Sequence, residues 1–309
     1  MASPGVTAGA ELPLRARRRR VGEDVVKGVL AVCALISVAT TVGIVLALFV
    51  PAFEFFREVS VVDFLTGTNW SPLFEPAHFG VLPLIGGSLL VTAIGALVAI
   101  PLGLGSAIYL SEYAGTRARG FLKPALELLA GVPTVVFGYF ALTFMTPLLR
   151  SIGIHVEIFN ALSAGLVMGV MLVPTVASLS EDAMGSVPRD LRDGAYALGS
   201  TRMQVATRIV VPAAVSGIIA SFVLAISRAI GETMIVLIAA GQQPTLTLDP
   251  RRAIETMTAF IAATGAGDVP VGSLEYKTIF AVGATLFVMT LAMNVVSIRL
   301  VRKYREVYE

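Results

Sequence analysis

Six runs of predominantly apolar residues, at about 26–50, 81–108, 124–149, 158–180, 212–240 and 276–300, dominate this sequence. Each is long enough to cross a hydrocarbon layer about 30 Å thick, which takes roughly 20 helical residues. In that layer a backbone has no water to bond, so a spanning segment satisfies its own polar groups as a helix. With 56% hydrophobic and only 14% charged residues, the chain is no ordinary soluble globule. The expected fold class is therefore all-α: a polytopic membrane protein with six transmembrane helices.

The basic residues predict its orientation. Arg15, Arg17, Arg18, Arg19 and Arg20 precede the first run, and Arg117, Arg119 and Lys123 follow the second. Arg189, Arg192, Arg202 and Arg208 follow the fourth, and Arg299, Arg302, Lys303 and Arg305 end the chain. The alternate loops hold Glu54, Glu58, Asp63 and Glu75, then Glu157, then a mixture of Asp249, Arg251, Arg252, Glu255 and Asp268. The positive-inside rule puts both termini and the loop after the fourth run in the cytoplasm of a multi-pass protein of the cell (plasma or inner) membrane. External loops fall at about 51–80 and 241–275. Residues 1–24 read as a basic, disordered cytoplasmic tail, and the first apolar run is too long for a cleaved signal. Cys33 stands alone, so no intrachain disulfide forms.

Much chemistry is missing. No G-x-x-x-x-G-K-[ST], G-x-S-x-G or H-E-x-x-H occurs, and His78 and His155 are the only histidines. The sequence offers no catalytic residues, metal site, cofactor or nucleic-acid-binding feature, and points away from an enzyme.

Two features remain to be explained. The first is a charged, amphipathic interruption at about 188–211, between the fourth and fifth runs. Leu191, Ala195, Leu198, Met203 and Val205 can fold two short helices around Gly199, which lacks the side chain that would resist a sharp turn. A loop resting on lipid headgroups and a surface moved by another subunit both fit. The second is a set of polar residues inside the fifth run: Ser227, Arg228, Glu232 and Thr233. On a continuous helix, Arg228 lies roughly 24 Å beyond Pro212. Arg228 and Glu232, four apart, would then share a face and could pair. An intramembrane charge is costly, so it faces protein or a watery path. A mutual ion pair that makes both residues tolerable is one reading. A solute path in which a guanidinium meets an oxyanion is the other, since its planar fork suits such groups.

Smaller features have two readings as well. Pro133 implies a kink in the third run, and Thr134 either compensates the freed carbonyl or lines a path. Gly165 and Gly169 suggest close helix packing. Phe64, Trp70 and Phe74 would anchor at the interface or meet a partner. Arg251–Ala263, with Ile254, Met257, Thr258 and Ile261 on one side, reads as an amphipathic helix lying on the outer face or covering a path.

The interruption also resembles a known motif. Asp193-Gly194-Ala195, three residues, Gly199, nine residues, Ile209, one residue and Val211-Pro212 match the spacing of the EAA motif of ABC importer permeases. In that motif Glu-Ala-Ala, Gly, Ile and Leu-Pro occupy those places. Pro101–Ala114, Gly131–Gly138 and Arg228–Met234 are similar to the phosphate importer permeases, and the Ile-Gly-Glu-Thr-Met wording to their PstC-type subunits. The resemblance covers about residues 25–305 and implies a MetI-like permease domain. It also implies pairing with a second, PstA-like permease, a PstB-like ATPase dimer and an extracytoplasmic, PstS-like phosphate-binding protein. Asp193, Gly194, Ala195, Gly199, Arg202, Ile209 and Pro212 would then couple to the ATPase. Arg228 and Glu232, with Ser227, Thr233 and Thr134, would line the path for inorganic phosphate, moved by alternating access through the lipid bilayer. Permeases for sulfate or molybdate, and an ATP-independent secondary anion transporter, are the alternatives.

Overall fold

The computed structural model describes residues 21–303. The basic tail expected over residues 1–24 lies outside them as far as residue 20; from Val21 onward the chain is already helical. It divides into two units, residues 1–47 and 48–309. In the first, the described residues form the greater part of one apolar helix, α1 (Val21–Glu58).

The second unit begins with the last turns of α1. It continues through α2 (Val61–Thr66), a short hairpin of β1 (Trp70–Ser71) and β2 (His78–Phe79), and α3 (Leu82–Ile108). Trp70 opposes Phe79 and Ser71 opposes His78 in antiparallel register. The loop bearing the hairpin closes through Gly67 and Gly80, whose backbones meet so closely that a Cβ on Gly80 would sit 2.3 Å from the Gly67 carbonyl carbon. Next come α4 (Thr116–Ala130), α5 (Thr134–Phe140), α6 (Thr146–Ser151) and α7 (Ala161–Gly185). Then follow α8 (Arg189–Ala197), α9 (Arg202–Val205), α10 (Val211–Ala213), α11 (Val215–Ile230), α12 (Met234–Ala239), α13 (Met257–Gly265) and α14 (Leu274–Lys303). Wider π-helical turns occupy Tyr109–Tyr113, Ala141–Met145 and Ala206–Val210.

Four described helices are long and apolar enough to cross a membrane, and up to six spans result if each of two bent pairs counts as one. The bends correct the expectation of continuous helices over 124–149 and 212–240. Between α4 and α5 the axis turns by 88°. Pro133 forces Val132 away from helical geometry and has no N–H to extend the ladder, so the expected kink becomes a break. A second bend of 72° falls at Ala214, just after Pro212, and a further break separates α11 from α12 at 231–233.

The core is built on α3 and α7, which make the most extensive helix contact in the chain. Glycines permit it. An added Cβ would lie 2.7 Å from Ile94 Cβ at Gly165, 2.6 Å from Val98 Cβ at Gly169, and 2.5 Å from Val176 Cβ at Gly103. This bears out the close packing expected of Gly165 and Gly169. At the start of α7 the Asn160 Oδ1 accepts from the Ser163 N–H at 2.7 Å, while its amide donates to Thr146 Oγ1 at 3.2 Å. These polar groups are fully buried and satisfied.

Along its length of roughly 40 Å, α3 links two apolar clusters. At its start lie Phe55, Phe64, Trp70, Leu84, Met257 and Phe260; at its end lie Ala107, Met184, Ala195, Val205 and Val210. Phe64 and Trp70 are thus core residues, and only Phe74 keeps the exposure expected of an anchor. The helix expected over Arg251–Ala263 starts only at Met257, where Thr256 caps it by accepting from the Ala259 N–H. Met257 and Ile254 are fully buried, so the segment is packed into the bundle and does not lie on it.

The glycine contact has a measurable consequence. Gly169→Ala should lower stability by about 1–3 kcal/mol through overpacking. Gly105→Ala, on α3 but with open space around it, should be neutral or slightly stabilising. Thermal unfolding of the two variants in detergent compares them directly.

Candidate functional site

At the Gly199 end, α8 and α9 form the short helix pair expected from the sequence. Gly199 adopts φ +82°, a left-handed conformation costly to any residue with a Cβ. Thr201 and Gln204 close a reciprocal capping box at the start of α9. Ala195, Val205 and Val210 face inward onto Met184 and Ile218. Asp193, Gly194, Gly199, Arg202 and Pro212 are exposed, and Ile209 is partly buried. Leu198 and Met203 do not stitch the pair together as expected. Leu198 is 89% exposed and Met203 also faces outward, leaving an apolar tip at the turn.

Arg192 fixes this pair to the bundle. Its guanidinium donates to the Val187 and Met184 carbonyls at 2.6 and 2.7 Å and to Glu112 Oε1 at 3.2 Å. Beside it, Glu181 of α7 is 3% exposed. It accepts from Arg119 Nε at 2.9 Å, and Lys123 Nζ lies 3.1 Å from its other oxygen. Sequence reasoning missed both carboxylates. An acid in an apolar run is the signal that finds such groups, but the fourth run, at about 158–180, stops one residue short of Glu181.

In the fifth run the structure overturns the expected Arg228–Glu232 pair. The helix α11 stops at Ile230, so the two residues no longer share a helical face. Glu232 instead caps α12, its Oε1 accepting from the Met234 and Ile235 N–H groups at 3.0 and 3.4 Å. A carboxylate there satisfies orphan donors and meets the positive end of the helix. Its backbone carbonyl accepts from Thr258 Oγ1. Arg228 is exposed and donates through Nη1 to Thr175 Oγ1 on α7, 3.2 Å away. Among the described residues it has no ion-pair partner. The bend at Ala214 also shortens the straight rise to Arg228 to roughly 20 Å, counted from Val215.

The other expected residues divide. Ser227 donates to Asn294 Oδ1 of α14 at 3.1 Å, beside Arg228. Thr233 turns back to the Gly231 carbonyl. Thr134 begins α5, and no hydrogen bond joins its side chain to this group. The two helix breaks do meet: α5 packs on α12, with Gly138 against the Met234 backbone. Thr175 also lines a cavity of about 180 Å³ between α4 and α7, together with Lys123, Ser178 and Glu181. Polar groups therefore continue from Arg228 along one face of α7 toward the Gly199 end.

Comparison with known proteins resolves what kind of bundle this is. Residues 99–305 match the family described as binding-protein-dependent transport system inner membrane component. The chain belongs to that family. Its relatives include a probable ABC transporter permease protein, YqgH, of Bacillus subtilis, 38% identical over 86% of this chain and 87% of that one. The phosphate transport system permease protein PstC of Mesorhizobium japonicum is 33% identical over 74% of each chain. PstC 1 of Mycobacterium tuberculosis is 33% identical over 78% of this chain and 82% of its own. In fold it resembles a bacterial alginate ABC transporter chain, with a TM-score of 0.63 at 16% identity over 92% of this chain and 98% of that one. The MetNI methionine ABC transporter gives 0.56 at 14% identity, over 74% and 95%. The chain is thus an all-α, multi-pass membrane component of the MetI-like permease fold.

Two outcomes follow from the site. If Glu232 caps α12 and does not pair with Arg228, the stability effects of Arg228→Ala and Glu232→Ala add to within about 0.5 kcal/mol in a double-mutant cycle. At the other end of the bundle, burial alone pushes the Glu255 carboxyl from an ordinary 4.5 up to about 7. The folded state there favours the protonated form, so its contribution is full below pH 4.5 and is lost as pH rises to about 7. Thermal stability should fall across that window, and Glu255→Gln should flatten the fall.

Proposed function

We propose that this protein is a permease subunit of an ABC importer for inorganic phosphate, in which Arg228 receives the anion. The observation that carries the reading is the state of Arg228. A guanidinium in an apolar helix, exposed and among the described residues bonded only to the neutral Thr175 hydroxyl, has no counter-charge among them. A structural ion pair would have answered that cost internally; here the charge is left for a ligand or for a partner chain. An oxyanion matches its parallel donors.

Phosphate is favoured by relatives whose names carry phosphate transport and by the Arg228–Met234 wording. One carboxylate oxygen of Glu232 is committed to the α12 cap. In this reading the Gly199 pair and both termini lie in the cytoplasm, and the exposed Leu198 tip beside Asp193 seats an ATPase subunit. ATP binding and hydrolysis there move α8 and α9, and Arg192 passes that motion to Glu112 and to the end of α7. A second permease completes the path, and an external binding protein delivers the anion.

Phosphate uptake into vesicles by the reconstituted complex tests this. Arg228→Ala should cut ATP-driven uptake by about tenfold or more, the loss of a charge-assisted hydrogen bond. Arg228→Lys should recover part of it. Gly199→Val should leave ATP hydrolysis running but detach it from uptake. Unchanged uptake by Arg228→Ala, or uptake without ATP, would sink the proposal.

A further inference from the structure

At the Trp70 end of the bundle lies a cavity of about 460 Å³, more than 20 residues along α3 from the Gly199 end and outside the path described above. Three aromatic residues form part of its wall. Trp70 and Phe260, each 3% exposed, meet edge to face with centroids 4.9 Å apart, and Phe74 stands exposed at the rim. Its charged groups are both acidic, Glu255 and Asp268; no Lys, Arg or His lines it.

Glu255 has no structural task that explains it. The residue is only 7% exposed, yet among the described residues its carboxyl takes part in no hydrogen bond or ion pair. Its segment is held by other groups: the Ala253 N–H donates to Glu157 Oε2 and the Ile254 N–H to the Ala240 carbonyl. The Glu255 carbonyl sits against Gly87, where a Cβ would come within 2.3 Å. A glutamine or methionine would fill the same space without the cost of burying an acid. Unlike the Trp70 indole nitrogen, which is sealed without an acceptor, the carboxyl oxygens remain reachable.

We infer that this cavity is a binding site for an alkylammonium group. The ammonium would meet the Glu255 carboxylate, and its alkyl stem would lie against Trp70 and Phe260. Buried carboxylate and ring faces both favour a cation that has left water, and the size accommodates a chain of several carbons. An unpartnered acid at the wall is what such a ligand completes. Its elevated pKa fits the same picture, since an entering cation favours the ionised form and displaces the proton. Two sources present this chemistry: a free amine, or a lysine side chain of a protein at that face.

Trp70 is the only tryptophan in the chain, so its emission reports occupancy without a label. The full-length protein in lipid nanodiscs is titrated with n-butylammonium, with the side-chain amine of N-acetyl-lysine amide, and with butanol as the uncharged control. Either amine should give a saturable change that butanol does not. Response to butylammonium alone identifies a free amine as the fitting source; response to the lysine derivative alone identifies a side chain. Glu255→Gln should weaken binding by about tenfold or more, and Phe260→Leu, which keeps the carboxyl, should weaken it less. No saturable change up to about 100 mM amine, an equal response to butanol, or undiminished binding by Glu255→Gln overturns the inference. None of these measurements involves phosphate or ATP, so this inference and the transport reading fail separately.

Discussion

Close approach of α3 and α7 is the contact on which the rest of the bundle depends. Between helices surrounded by lipid, burying apolar surface drives little, and association comes from van der Waals fit and satisfied polar groups. Gly95, Gly103, Gly165 and Gly169 bring the two backbones near enough for that fit. Around α7 are then arranged α4, α5, α11 and α12. Both proposed working regions are measured from this pair. Thr175 of α7 holds Arg228, and Met184 near the end of α7 holds Arg192.

Broken helices place the functional groups. An unbroken fifth helix would have set Arg228 against Glu232 and neutralised both. Ending α11 at Ile230 and starting α12 at Met234 gives the carboxylate to a helix N-terminus and leaves the guanidinium with a hydroxyl. The chain thereby exchanges an ion pair for a capped helix and an uncompensated cation.

The sequence was most legible where one local rule acts alone. Apolar run length found the helices, the Gly199 spacing found the turn, and Gly165 with Gly169 found the tight contact. It was least legible where a helix break or a chain-distant group decides the outcome. Nothing local says that Glu232 turns to α12, because four-residue spacing predicts a pair until the break at Gly231 is known. Trp70 and Phe64 look interfacial because aromatic residues in a loop usually are; Trp70 packs on Phe260, 190 positions later, and Phe64 on Phe55, Phe56 and Trp70. Glu255 carried no motif. Only the packing of its segment against α3 shows it to be a buried acid.

The Glu181 cluster also bears on how the bundle can move. Its carboxylate sits on α7, and both cations that answer it, Arg119 and Lys123, sit on α4. Any displacement that parts α4 from α7 must strip a buried anion of its counter-charges or force a proton onto it. Displacement that carries the two helices together meets no such penalty. Their joined ends therefore behave as a single lever arm, with its natural pivot at the 88° corner of 131–133, where Pro133 has no N–H and the helical ladder is interrupted.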